Sequence, residues 1–356
     1  MTWSVLGTIS GTSADGIDLA EIETDGETVV RFGPATTIPY STATRKAVLD
    51  AVALGPSERS SWGKLAEAVS DEHLSAIRRF LIEYDLSPDL VVFHGQTVWH
   101  DPGKAETVQL GSSQTLADGL KLPVVGDVRQ ADMAAGGEGA PLVPVYHQAL
   151  SHGLPQPLCF LNIGGVSNLT YIDESTLLAF DIGPGNALLD DWVSGHSAGD
   201  CDRDGLISAA GQVDQSRLEK ALEHPFFAKP GPKSLDRNAF SLAMVEGLSL
   251  EDGAATLAAF TAATIARAEA LCPKAPALWI VCGGGRLNPT LMQNLQNRLQ
   301  GDVRSSEDFD LDGNALEAQA MAFLGARLKA QLPTSFPSTT GASEPVVGGA
   351  LYVPQA

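Results

Sequence analysis

Asp181 closes the apolar run Leu178-Ala179-Phe180 and is followed by Ile182-Gly183-Pro184-Gly185-Asn186. A carboxylate delivered at a strand end into a confined turn can take a proton from a reacting group, or it can cap the turn that follows. A second stretch with chemistry is Ser10-Gly11-Thr12-Ser13-Ala14-Asp15-Gly16-Ile17-Asp18. It lies between Trp3, Val5 and Leu6 on one side and the alternating Ile17, Leu19 and Ile22 on the other, so it reads as a hairpin with a polar tip. Such a tip offers backbone N–H groups unobstructed by Cβ atoms and hydroxyls that can donate to phosphate oxygens. A carboxylate such as Asp15 can hold a divalent cation through water. An ordinary polar hairpin loop uses the same residues.

Other candidates follow in both halves. Asn162-Ile163-Gly164-Gly165-Val166-Ser167-Asn168 repeats the pattern of strand, polar glycine turn and strand, and Gly283-Gly284-Gly285 ends the run Leu278-Trp279-Ile280-Val281-Cys282. Glycine turns of this kind could clamp a polyphosphate or admit a flat purine and ribose to the backbone, although tight strand-to-helix turns use glycine too. The chain has no Gly-x-x-x-x-Gly-Lys-Ser/Thr, and the triple glycine lacks dinucleotide-fold spacing. His94, Gln96 and Thr97 offer hydrogen bonds of the type a sugar uses, while a histidine in such a run also serves as a satisfied core residue. Arg129 with Asp127 and Asp132 reads as an ion-pair cluster or a substrate clamp, and Glu317 as a solvated or capping acid unless it meets a ligand.

The elements needed to position these groups alternate along the chain. Glu27 to Ile38 is a third strand, Ala43 to Leu54 a helix, and Trp62 to Tyr84 one long amphipathic helix. Leu90 to Phe93 and Pro123 to Gly126 are short continuous apolar runs of the kind buried parallel strands need, with Thr107 to Leu110 and Ser113 to Leu120 a strand and helix between them. In the second half, strands at Cys159, Leu177 and Leu278 alternate with helices predicted from Ala187, with Asn186 as N-cap, and at Leu257 to Leu271, Thr290 to Leu299 and Ala315 to Leu332. The glycine-rich segment after Asp127 marks a domain crossing, giving 1–127, joined by the tail 337–356, and 128–336.

With 356 residues, two domains are the natural expectation. Hydrophobic residues make up 44% and charged ones 19%, as in an ordinary globular protein. The net charge of −20 argues against electrostatic binding of nucleic acid or an anionic membrane. No apolar run is long enough to span a bilayer, and the first residues carry no secretory pattern, so the expectation is cytoplasmic. Cys159, Cys201, Cys272 and Cys282 lack metal-ligand spacing and read as buried free thiols.

Taken in order, Ser10 to Asp18, His94-Gly95-Gln96-Thr97, Asp127-Val128-Arg129, Gly136 to Leu142, Asn162 to Asn168 and Asp181 to Asn186 resemble the anhydro-N-acetylmuramic acid kinase family. The resemblance continues through Gly283-Gly284-Gly285, Asp312-Gly313 and Glu317-Ala318. It departs from the family pattern at Ile9, Glu138 and Ile182. It implies an α/β protein of two duplicated ribonuclease-H-like domains, of the actin-like ATPase type, flanking an interdomain cleft. It further implies ATP and magnesium as cofactors, a sugar substrate and a homodimer. The implied reaction opens the 1,6-anhydro bond of anhydro-N-acetylmuramate with water and phosphorylates the 6-oxygen, in peptidoglycan recycling.

By the same resemblance, Asp181 is the catalytic base. Gly11 to Asp18, Gly164, Gly165, Gly283, Gly284 and Gly285 contact the nucleotide and Asp15 the metal. On this reading, His94, Gln96, Thr97, Asp127, Arg129 and Glu317 are the expected sugar contacts. Two rival functions are an ATP-independent glycosidase pairing Asp181 with Asp127, and an actin-like or heat-shock-like ATPase acting on a protein partner.

Overall fold

A computed structural model describes every residue except Thr12, 236–238 and Ala356, together with the side chains of Glu58 and Ser61. The chain divides into two compact units, Met1–Leu150 with Ala315–Ala356, and Ser151–Asn314.

In the first unit, strands β1 (Trp3–Ser10), β2 (Gly16–Thr24) and β3 (Val29–Pro39) form an antiparallel meander. On its other edge, β1 pairs in parallel with β4 (Leu90–Asp101). Strand β4 pairs antiparallel with β5 (Glu106–Leu110) and parallel with β6 (Val124–Gly126). The C-terminal strand Ala350–Tyr352 closes the edge at β6. Helix Thr42–Leu54 starts at Ser41, whose hydroxyl accepts from the Thr44 N–H at 3.2 Å. Helix Trp62–Glu83 buries Val69, Ala76, Ile77 and Phe80 at helical spacing in a core shared with Leu19, Val91 and Phe93.

In the second unit, β7 (Leu158–Ile163), β8 (Val166–Asp173) and β9 (Thr176–Pro184) again form an antiparallel meander. Strands β10 (Leu278–Cys282) and β11 (Asp302–Ser305) extend it in parallel from β7. Helix Leu250–Glu269 is buried almost all round, as its run of alanines permits, and packs between this sheet and a cluster containing Trp192 and Phe227.

Several boundaries differ from the sequence expectation. The crossing lies at Leu150, beyond Asp127, and helix Leu316–Lys329 belongs to the first unit. The reason is visible at Gly7 of β1, where a Cβ would stand 1.9 Å from the Ala318 carbonyl oxygen, so the glycine lets the helix backbone lie on the strand. Strand β4 runs through the His94 motif instead of ending before it, and β9 runs through Asp181. Asn186 stands at the N-cap position of helix Ala187–Gly195 as expected, but its side chain turns elsewhere, Nδ2 donating to the Ile163 carbonyl at 3.2 Å. Cys159 and Cys282 are buried, but Cys201 is exposed and Cys272 partly so. Among the described residues, no helix is long and apolar enough to cross a membrane.

Candidate functional site

The two units each hold part of the candidate constellation. In the first, pairing of β1 with β4 steps from Thr8 opposite Phe93 to Ser10 opposite Gln96, so one extra residue is accommodated around His94 and Gly95. Gly95 takes φ +77° there, a conformation that suits glycine. A bulge of this kind re-aims a side chain. His94 lies buried with Nδ1 2.8 Å from its neighbour's carbonyl, and its Nε2 accepts from Arg129 Nε at 2.8 Å. Burial, helped by the guanidinium, pushes the imidazole down to about 3, so the ring is neutral. Arg129 also donates from Nη1 to the Gly139 carbonyl at 2.6 Å.

In the expected cluster of Arg129 with Asp127 and Asp132, Asp132 acts on the guanidinium charge, but both carboxylates bond to other partners. Asp127 accepts from the Tyr352 hydroxyl. Asp132 is buried and accepts from the Gly139 N–H at 2.7 Å, the Thr340 hydroxyl at 2.6 Å and the Ser335 hydroxyl. It therefore anchors the glycine-rich loop that Arg129 touches. Thr97 accepts from Gln109 Nε2 at 3.2 Å and stays partly open. Gln96 is fully buried and engaged at both ends, accepting from Ser10 Oγ at 2.6 Å and donating to the Gly11 carbonyl at 3.1 Å. It braces the hairpin tip.

In that tip, Ala14 and Ile17 turn their side chains into the core, so those two residues offer a ligand only backbone groups. Ser13 is exposed, whereas Gly16 is held close to β3. Asp15 is exposed and paired with Arg45 at 2.8 Å. Asp18 accepts from the Thr37 hydroxyl at 2.5 Å, and its carboxyl is raised by burial and by Asp15. Glu317 opens helix Leu316–Lys329 with its side chain exposed but its carboxyl raised by the flanking protein and by Asp18, against the pull of Arg129. Thr12 lies outside the described residues.

In the second unit, three glycine turns converge. Gly185 and Asn186 donate backbone N–H groups to the carbonyls of Gly165, at 2.9 Å, and Gly164, at 2.7 Å. A Cβ on Gly185 would stand 2.2 Å from the Gly164 oxygen. Gly283 takes φ +74° against Asn162 and Ile163, and Gly284 is exposed next to Asn186. Arg286 fastens this last turn from within, donating to the Gly283 carbonyl at 2.8 Å, Glu307 at 2.7 Å and Asn314 at 3.1 Å. Gly285 packs on the Ile163 side chain.

Beside these turns, β9 carries Asp181 next to its own bulge, for Ser167 faces Gly183 while Asn168 faces Asp181. The extra residue, Ile182, is buried in the sheet core, which leaves Asp181 partly open. The Leu235 N–H donates to Asp181 Oδ2 at 2.8 Å. Among the described residues, no group of three or more histidine, cysteine, aspartate or glutamate side chains is placed to hold a metal ion.

Comparison with known proteins decides the family. The model of the anhydro-N-acetylmuramic acid kinase family matches residues 3–354. The chain belongs to that family. An anhydro-N-acetylmuramic acid kinase of Rhodospirillum rubrum is 47% identical over 98% of this chain and 94% of its own. One of Azorhizobium caulinodans is 50% identical over 98% and 99%. Among solved structures, a ROK family glucokinase from Streptomyces griseus in complex with glucose and AMPPNP aligns with a TM-score of 0.40 and 14% identity, covering 90% of this chain and 98% of that one.

For this kinase, sequence reasoning missed two groups that the structure brings to the candidate residues. Arg286 fastens the turn that Gly283 makes against Asn162, and Lys233 abuts Asp181. Arg286 had a legible signal in following three glycines directly. Lys233 had a weaker one, as a lysine after Pro230-Gly231-Pro232 and the pair Phe226-Phe227.

Proposed function

We propose that this chain, a phosphotransferase with an alcohol acceptor, converts 1,6-anhydro-N-acetylmuramic acid and ATP into N-acetylmuramic acid 6-phosphate and ADP in the cytoplasm, during recycling of cell-wall sugar. The observation that carries the reading is the convergence of three glycine turns in the second unit beside a partly open aspartate on a bulged strand. The duplicated ribonuclease-H-like architecture is supported by strand order, because each unit has a three-stranded antiparallel meander extended in parallel from its first strand.

Asp181 takes a proton from the water that attacks the anomeric carbon. As the new C1–O bond forms, the bond from C1 to the 6-oxygen breaks and its electron pair stays on that oxygen. The 6-oxygen then bonds to the γ-phosphorus, the bridging P–O bond breaks, and ADP leaves. Because phosphorylation captures the leaving oxygen, no second carboxylic acid is required to protonate it. The hydrogen bond from Leu235 fixes the carboxylate, while Gly164, Gly165 and Gly284 leave backbone open to the nucleotide. Arg129, Thr97 and Glu317 are the groups assigned to the sugar, with His94 orienting Arg129.

The residues of the first unit suit a divalent cation better through Asp18 than through Asp15, because Asp15 is already paired with Arg45, while burial and the nearby Asp15 raise the Asp18 carboxyl. Magnesium held there would neutralise phosphate charge.

The test is ADP release with anhydro-N-acetylmuramate, N-acetylmuramate or no sugar, with the product weighed by mass spectrometry. The reading requires anhydro-sugar-dependent ADP, a product heavier by one water and one phosphoryl group, and loss of both in Asp181→Asn. ADP release indifferent to sugar would overturn it, as would ring opening without ATP.

A further inference from the structure

The segment carrying Lys233 is joined to Asp181 at two points. The Asp181 N–H donates to the Lys233 carbonyl at 2.9 Å, and the Leu235 N–H returns to Asp181 Oδ2 at 2.8 Å. The lysine side chain is buried in an aromatic cup, its ammonium 4.5 Å from the Phe226 ring centroid and 5.5 Å from that of Phe180, the residue before the aspartate. It donates to the Phe226 carbonyl at 3.1 Å. A methionine would fill the same cup without the cost of stripping water from a charge. The Phe226 carbonyl and the ring faces hold the cation in the cup, and Asp181 is the carboxylate that acts on its charge.

We propose that Lys233 is a positioning residue for Asp181: its backbone registers the aspartate, and its ammonium favours the ionised carboxylate that can accept a proton. The inference rests on the assignment of Asp181 as the base. Burial pushes Lys233 down to about 8, opposed by Asp181 and assisted by Lys229, so the ammonium is charged throughout the acid range in which a carboxylate titrates.

Among the described residues, Asp181 is the carboxylate that acts on Lys233. Asn168 faces Asp181 from β8, Thr264 from helix Leu250–Glu269 packs at Gly183, and His224 meets Phe227 edge-on and Phe240 at a tilt. Lys229 is the other cation acting on Lys233.

The sign of the effect follows directly. A nearby cation lowers the pKa of a carboxylate, and a base works only when deprotonated. Removing the cation therefore moves the acid limb of the rate profile to higher pH. In the full-length enzyme, Lys233→Met should shift the acid midpoint of kcat upward by about one unit, a loss of about tenfold on that limb. Lys233→Arg should restore most of the shift. A purely structural role would lower activity at every pH and leave the midpoint in place.

Thermal melting at neutral pH accompanies each profile, and Lys233→Gln supplies a second neutral side chain should Lys233→Met fail to fold. An unmoved acid midpoint in a folded neutral variant overturns the proposal. Failure of the underlying reading looks different, because the unsubstituted enzyme would then show no sugar-dependent ADP release, or Asp181→Asn would retain it.

Discussion

Arg129 and His94 hold each other through one hydrogen bond, from Nε to Nε2 at 2.8 Å, and that bond fixes the proton on the imidazole. Since Nε2 accepts, Nδ1 carries the hydrogen, which it donates to the Gly95 carbonyl at 2.8 Å. The histidine is thus an acceptor that orients a cation, and its neutral state is part of how it does so.

His94→Phe keeps a ring in the bulge but removes the acceptor, leaving an N–H of Arg129 unpaired at a cost of about 1–3 kcal/mol. The expected result is a lower urea midpoint and a raised KM for the anhydro sugar, with kcat changed less. The assay is steady-state kinetics at saturating ATP. An unaltered sugar KM in the folded variant would confine Arg129 to bracing the Gly139 loop.

Acid should destabilise the protein through buried neutral histidines. Burial pushes His73 down to about 4 and His94 and His147 down to about 3, from an ordinary value of 6.5. Their folded pKa values lie below the unfolded one, so the unfolded chain binds more protons between these limits. The stability they contribute is complete above pH 6.5 and is lost as pH falls towards 4 and 3. Each histidine adds up to about 1.4 kcal/mol per pH unit to the slope. Urea unfolding at successive pH values measures the slope, and His73→Phe should flatten it because His73 lies against Phe93 with Nε2 unpartnered. An identical slope in that variant would remove His73 from the account.

The elements that position the site were legible because their signals are local. Helix Trp62–Glu83 is written in its apolar spacing, and the β1–β2 hairpin in its polar tip. Asp181 stood out because an apolar run delivers it into glycine and proline. What local sequence does not carry is pairing at long range. Nothing near Gln96 says that Ser10 will occupy its amide, and nothing near Asp132 says that Ser335 and Thr340 will donate to it across the chain. The same holds for helix Leu316–Lys329, whose place on β1 depends on a glycine at position 7.

Asp132 tests one such long-range anchor. Its carboxylate accepts from Gly139, Thr340 and Ser335, so Asp132→Ala strands several buried donors. A loss of roughly 3 kcal/mol or more is expected. Asp132→Asn, which keeps one acceptor oxygen, should cost less. Denaturant melts rank the two. If Asp132→Ala were as stable as the parent, the Gly139 loop would be held by Arg129 and the C-terminal segment without it.

The glycine turns of the second unit divide into those the fold requires and those a nucleotide requires, and alanine substitution separates them. At Gly185 a Cβ meets the Gly164 carbonyl oxygen at 2.2 Å, a backbone atom that cannot step aside cheaply. Gly185→Ala should therefore unfold or strongly destabilise the unit, whatever the ligand. Gly165 is exposed, and the nearest atom to its Cβ is Ala187 Cβ at an ordinary 3.7 Å. Gly165→Ala is therefore expected to change stability by no more than about 1 kcal/mol. If the bare backbone serves phosphate approach, the same variant should nevertheless raise the KM for ATP at least about tenfold, a loss of about 1.4 kcal/mol in binding, while leaving the sugar KM nearly unchanged. Thermal melts and nucleotide titrations on the two variants read both quantities. A stable Gly165→Ala enzyme with normal ATP affinity would place the nucleotide away from this turn, leaving Gly283 to Gly285 to be tested in the same way.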